Sequence, residues 1–107
     1  MPPGMKSGIC VVYSMHTTAG ITVNENADPD VQVDIVSTLE KNFPHGSASY
    51  RHGEGNSDAH MKASVVGLCQ TIPVEDGRLF LGTWQGIFFC EFDGPRDRSV
   101  CVKFIKG

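Results

Sequence analysis

Between Asp28 and Pro44 large apolar residues recur every fourth position, at Val31, Ile35 and Leu39, with Phe43 extending the row. That period is the stripe of an amphipathic helix. Asp28 marks its start, because a carboxylate there accepts from the free N–H groups of the first turn, and Pro29 has no N–H to lose. Pro44 stops it, so the pattern predicts a helix of about three turns. A second, shorter helix of about two turns is expected from Ser57, with Ala59, Ala63 and Val66 on it and Gly67 at its end. The rest reads as strand and turn. Ile9–Met15 is β-branched and aromatic, and strand character resumes at Ile21–Val23 after His16-Thr17-Thr18-Ala19-Gly20. Gln70–Val74 contains Pro73 and so belongs at an edge or a strand end. Asp76-Gly77 is a hairpin turn with Leu79–Leu81 returning, Ile87–Phe92 is apolar on both faces, and Val100, Val102 and Phe104 alternate to the end. The fold class is α+β: a compact antiparallel sandwich or barrel-like sheet with one main and one short helix.

With 107 residues the chain is read as a single domain over 1–107, large enough for a hydrophobic core. A net charge of −3 with scattered Lys and Arg offers no field for a polyanion, so nucleic acid is not expected as a partner. The longest apolar run, Ile87–Cys90, is far shorter than a membrane span, and the first residues lack the apolar core of a signal peptide. No membrane partner is therefore expected, and the expected compartment is the cytoplasm. Cys10, Cys69, Cys90 and Cys101 lie among strand-like neighbours and are expected to be free, buried thiols. A turn near Pro95-Arg96 would also allow a Cys90–Cys101 bridge across a hairpin. Trp84, flanked by Gly82 and Gly86, is expected to fill the core where a strand bends.

The segment His52–Lys62 is the least like core. It holds two histidines, two carboxylates, an amide, a hydroxyl and a lysine, with Met61 as its only large apolar residue. A solvated loop is the plain alternative. Asn24, Glu25 and Asn26, between a strand and a capped helix, are placed to line a pocket. Three neutral imidazoles with a fourth position open to water form a catalytic zinc arrangement, and His16, His52 and His60 are the candidate ligands. Glu54 or Asp58 would orient a ring. Thr17, Thr18, Asn56, Ser57 and Lys62 would cradle a phosphate, helped by the free N–H groups of the short helix. Cys–His catalysis fits less well, because no cysteine has an electropositive setting.

The runs HTTAGITVNENADPDVQVDI, YRHGEGNSDAHMKAS, DGRLFLGTWQGI and EFDGPRDR resemble the YjbQ-like family, also called secondary thiamine-phosphate synthases. The resemblance implies a compact α+β fold, a homotrimer, and a polar metal- or anion-binding site near subunit contacts. It places the family's histidines on His16, His52 and His60. It also implies that relatives carry a further N-terminal segment before the strand at Ile9–Met15, which this chain lacks. The activity implied joins a pyrimidine pyrophosphate to a thiazole phosphate, with Glu54, Asp58 and Lys62 catalytic and a divalent metal as cofactor. Zinc suits the histidines, and magnesium would suit a pyrophosphate substrate. The alternative is a non-catalytic metal- or anion-binding trimer.

Overall fold

The computed structural model describes all residues from Met1 to Gly107. Eight elements follow in order: β1 (Gly8–Ser14), β2 (Ala19–Glu25), α1 (Pro29–Asn42), α2 (Ser57–Val66), β3 (Cys69–Glu75), β4 (Arg78–Leu79), β5 (Gln85–Glu91) and β6 (Val100–Lys106). All strand pairings are antiparallel. One sheet has the order β4-β3-β1-β6, and β2 pairs with β5 in a separate two-stranded sheet. This is the α+β class expected from the pattern.

The side-chain period of two puts Cys10, Val12 and Ser14 of β1 on the inner face, beside Ile72 and Val74 of β3. Ile21 reaches them from β2, and Met5 closes the cluster, with Val23, Leu79, Leu81, Ile87 and Phe104 packed around it. α2 lies on β2 through its small residues Ala59 and Ala63, both fully buried. At Gly20 an added Cβ would lie 2.7 Å from the carbonyl oxygen of Gly67, the residue that caps α2. The same carbonyl accepts from the Ile21 N–H at 2.9 Å, so α2 is locked to β2 through backbone.

Turn chemistry is realised as expected at Asp76-Gly77, both with positive φ (50° and 74°), which twists the β3–β4 hairpin in the favoured sense. Asp28 caps α1 by accepting from the Asp30 N–H at 2.9 Å, and Pro29 opens the helix. Four expectations need correction. The return strand after the hairpin is only Arg78–Leu79, so Pro73 of β3 lies beyond its paired residues. β5 and β6 do not form a hairpin, because β5 pairs with β2 and β6 with β1, so no register sets Cys90 opposite Cys101. The four cysteines are free, but only Cys10 is buried; Cys69 and Cys101 are exposed. Trp84 is 63% exposed and fills no core.

α1 behaves unlike a core helix. Its stripe of Val31, Ile35 and Leu39 is only half-buried, and none of the 14 residues is fully buried. Between α1 and the outer face of the β2–β5 sheet runs a cavity of about 450 Å³, lined on one side by Ile35, Val36 and Leu39 and on the other by Phe88 and Phe92.

Candidate functional site

The β1–β2 turn, the segment after β5 and the start of α2 meet at one end of the molecule. Phe92 N–H donates to the Thr18 carbonyl, and Arg98 reaches back to give its Nη2 to Thr18 Oγ1 at 2.9 Å and to the Glu91 carboxylate. From α2, Asn56 Nδ2 donates to Asp93 Oδ2 at 2.7 Å, and that carboxylate also holds Arg96 at 2.9 Å. His16 sits at the edge of this junction, its Nε2 accepting from the Ser99 N–H at 2.8 Å. Of the expected phosphate residues, Thr18, Asn56 and Ser57 are buried and Thr17 is exposed. Glu91, Asp93, Arg96 and Arg98 were not among the residues chosen as candidates. The contacts that bring them to Asn56 and Thr18, Asn56–Asp93 and Arg98–Thr18, span 37 and 80 residues, so local spacing carries no signal that they belong to this junction, although Arg96–Asp93 and Arg98–Glu91 are close in sequence.

The histidines do not converge as a zinc site. His52 and His60 meet edge to face with ring centroids 5.4 Å apart, a stacking contact. His16 is committed to Ser99, and no three His, Cys, Asp or Glu side chains are grouped so that they could hold a metal ion. The expectation of a His16–His52–His60 metal centre is corrected accordingly.

The three residues expected to be catalytic are also placed. Glu54 is exposed in the loop before α2. Asp58 and Lys62 are buried and face each other one helical turn apart, with Lys62 Nζ to Asp58 Oδ2 at 2.9 Å. Lys62 Nζ also donates to Glu40 Oε2 of α1 at 2.6 Å, and His45 Nδ1 meets Asp58 Oδ1 at 2.9 Å. The network joins the end of α1 to α2 and forms one polar end of the α1 groove. Lys62 is thus held by two carboxylates and is not directed at the Asn56 junction. Burial pushes the Asp58 carboxyl up, but hydrogen bonds from Lys62 and His45 outweigh it and leave it below its ordinary value. Burial likewise lowers the Lys62 ammonium, and its bonds to Glu40 and Asp58 more than offset this, so it titrates above its ordinary value. The Arg98 hydrogen bond holds Glu91 low.

These shifts fix a pH dependence. Asp58 and Glu91 are lowered, so their contribution is present above the unfolded carboxylate values of about 3.9–4.3 and is lost as pH falls through the folded ones. Lys62 is raised, so its contribution is full below about 10.4 and is lost as pH rises through the folded value. The urea midpoint is expected to be flat between about pH 5 and 9 and to fall on both sides. A midpoint unchanged from neutrality down to about pH 3 would show that the network adds nothing.

The family model described as UPF0047 protein YjbQ-like matches residues 1–107. UPF0047 protein YugU of Bacillus subtilis is 55% identical over 102 residues, covering 95% of this chain and 77% of its own. UPF0047 protein MJ1081 of Methanocaldococcus jannaschii is 58% identical over 101 residues, covering 94% and 72%. Among solved structures, an uncharacterized YjbQ/UPF0047 protein of Clostridium acetobutylicum superposes with a TM-score of 0.92 at 61% identity, covering 95% of this chain and 78% of that one. A protein of unknown function from Sulfolobus solfataricus gives 0.90 at 36% identity, covering 97% and 76%. None of these names carries an activity, so the expected thiamine-phosphate synthase and transferase reading is corrected, together with the zinc chemistry attached to it. Matched over its whole length and sharing more than half its residues with two of these relatives, the chain belongs to the YjbQ-like family, UPF0047.

Proposed function

We propose that this chain is the subunit of a homotrimer that takes up a small phosphorylated molecule at the junction of Thr18, Asn56, Asp93 and Arg96. The observation that carries the reading is the start of α2. Ala59 and His60 both donate to the Asn56 carbonyl, and no side chain caps the helix, which leaves the Ser57 and Asp58 N–H groups to meet an anion. Arg96, half exposed beside them, adds a guanidinium suited to phosphate oxygens.

Assembly is supported by the apolar surface a single chain leaves open. No residue of α1 is fully buried, and Val33, Val36, Phe80, Trp84, Val100 and Val102 are all exposed. β6 is an edge of the larger sheet, and long edges are normally covered or paired. No helix is long and apolar enough to cross a membrane. Free thiols and the net charge of −3 fit a cytoplasmic protein that does not bind nucleic acid.

Light scattering is expected to give three times the 11.6 kDa chain mass. A stable monomer at micromolar concentration would sink the assembly half. Titration calorimetry with simple phosphomonoesters tests the other half, and no heat or thermal stabilisation with any of them would remove it.

A further inference from the structure

Asn56 is 7% exposed, and its Oδ1 is the one buried side-chain polar atom without a hydrogen-bond partner. Folded proteins satisfy nearly all such atoms, because a buried orphan costs about 1–3 kcal/mol. The amide cannot be turned to escape this. Its Nδ2 is held by Asp93 at 2.7 Å, and a flip would set Oδ1 against that carboxylate. Nor is Oδ1 used as a helix cap, although Asn56 holds the N-cap position of α2; Asp28 does cap α1. A fixed acceptor therefore lies beside the uncapped helix start.

We infer that Asn56 Oδ1 accepts a hydrogen bond from a hydroxyl of the bound molecule, which makes the ligand a hydroxylated phosphomonoester of the polyol phosphate class. This rests on the phosphate reading above and narrows it. The side-chain charges nearby are already paired, Asp93 with Arg96 and Glu91 with Arg98, so what the neutral amide oxygen lacks is a hydrogen-bond donor and not a counter-charge. A fully ionised phosphate group brings only acceptors, so the donor comes from another group of the ligand, and a hydroxyl supplies it without adding charge. The residues just before Asn56, His52–Gly55, are all exposed, and Gly53 and Gly55 have nothing within 4 Å of an added Cβ.

The test is calorimetry on the full chain in its assembled form with glycerol 3-phosphate and with propyl phosphate, which lacks the hydroxyls. Wild type is expected to bind the first at least about tenfold more tightly, the equivalent of one satisfied hydrogen bond. Asn56→Ala is expected to lose the preference and to bind the two alike. Should that variant not fold, the wild-type preference and a shift of the Asn56 side-chain NH2 resonance, seen with glycerol 3-phosphate and not with propyl phosphate, decide the matter. Equal binding of the two by wild type overturns the hydroxyl assignment and leaves the phosphate reading standing. A preference that survives in Asn56→Ala moves hydroxyl recognition elsewhere and also overturns it. Binding of neither removes both readings.

Discussion

Lys62→Ala is expected to destabilise the folded chain by about 3–5 kcal/mol, the cost of leaving a buried charge without its partner. The residue left behind is Asp58, whose side chain is 4% exposed and whose remaining partner, His45, is 70% exposed to solvent. The ammonium also ties α1 to the rest of the molecule through Glu40, and α1 has no buried residue of its own to hold it in place. The same variant should therefore loosen α1, read as faster amide exchange along Pro29–Asn42 than along the β1–β3 ladder. The double variant Asp58→Asn/Lys62→Met is expected to recover much of the loss, since a pair replaced together leaves no orphan charge. A single-variant cost below about 1 kcal/mol would mean that the pair is no more than a surface salt bridge.

Asp58 and Lys62 show how one spacing serves two readings. Their spacing of four on a helix is that of a stabilising ion pair, and it was legible. Burial was not, because it depends on α1 and β2 folding over them from elsewhere in the chain. Set in a polar, glycine-rich stretch, the two residues resemble ligand-binding groups. The histidines mislead in a similar way. His52 and His60 do meet, as a loop folding back allows, yet the contact is ring against ring, and His16 belongs to Ser99, 83 residues on.

What was legible is what local physics determines. The cap and proline at Asp28-Pro29 and the four-residue stripe specify α1, and Asp76-Gly77 specifies a turn needing two positive φ angles. Pairing beyond neighbours is set by the whole core. The turn residues between β5 and β6 suggested a hairpin, but Ile87 and Phe89 pair across to Val23 and Ile21. The junction around Asn56 was half legible: Thr18, Asn56 and Ser57 stood out by composition, while the arginines and acids that organise them come from the far end of the chain.

Ile21→Ala is expected to cost about 2–5 kcal/mol, whereas Trp84→Ala, the larger truncation, should barely move the unfolding of an isolated chain. Size alone would rank them the other way. Ile21 is 1% exposed, sits between the two sheets, and bonds through its N–H to the Gly67 carbonyl, so its removal leaves a void where β2, α2 and the larger sheet meet. The cost rises with the volume that the surroundings cannot fill, and a fixed backbone contact on one side limits that collapse. Trp84 stands in solvent in the turn before β5, where its carbonyl accepts from the Asn26 N–H at 2.8 Å, a bond that any residue would make. In the proposed trimer its indole is among the apolar groups left to be covered, so Trp84→Ala should act on assembly and shift the molecular mass at low micromolar concentration toward the single chain. Urea unfolding below the assembly concentration, followed by light scattering above it, separates the two effects. A Trp84→Ala loss of about 3 kcal/mol in the isolated chain would put the indole in the core after all.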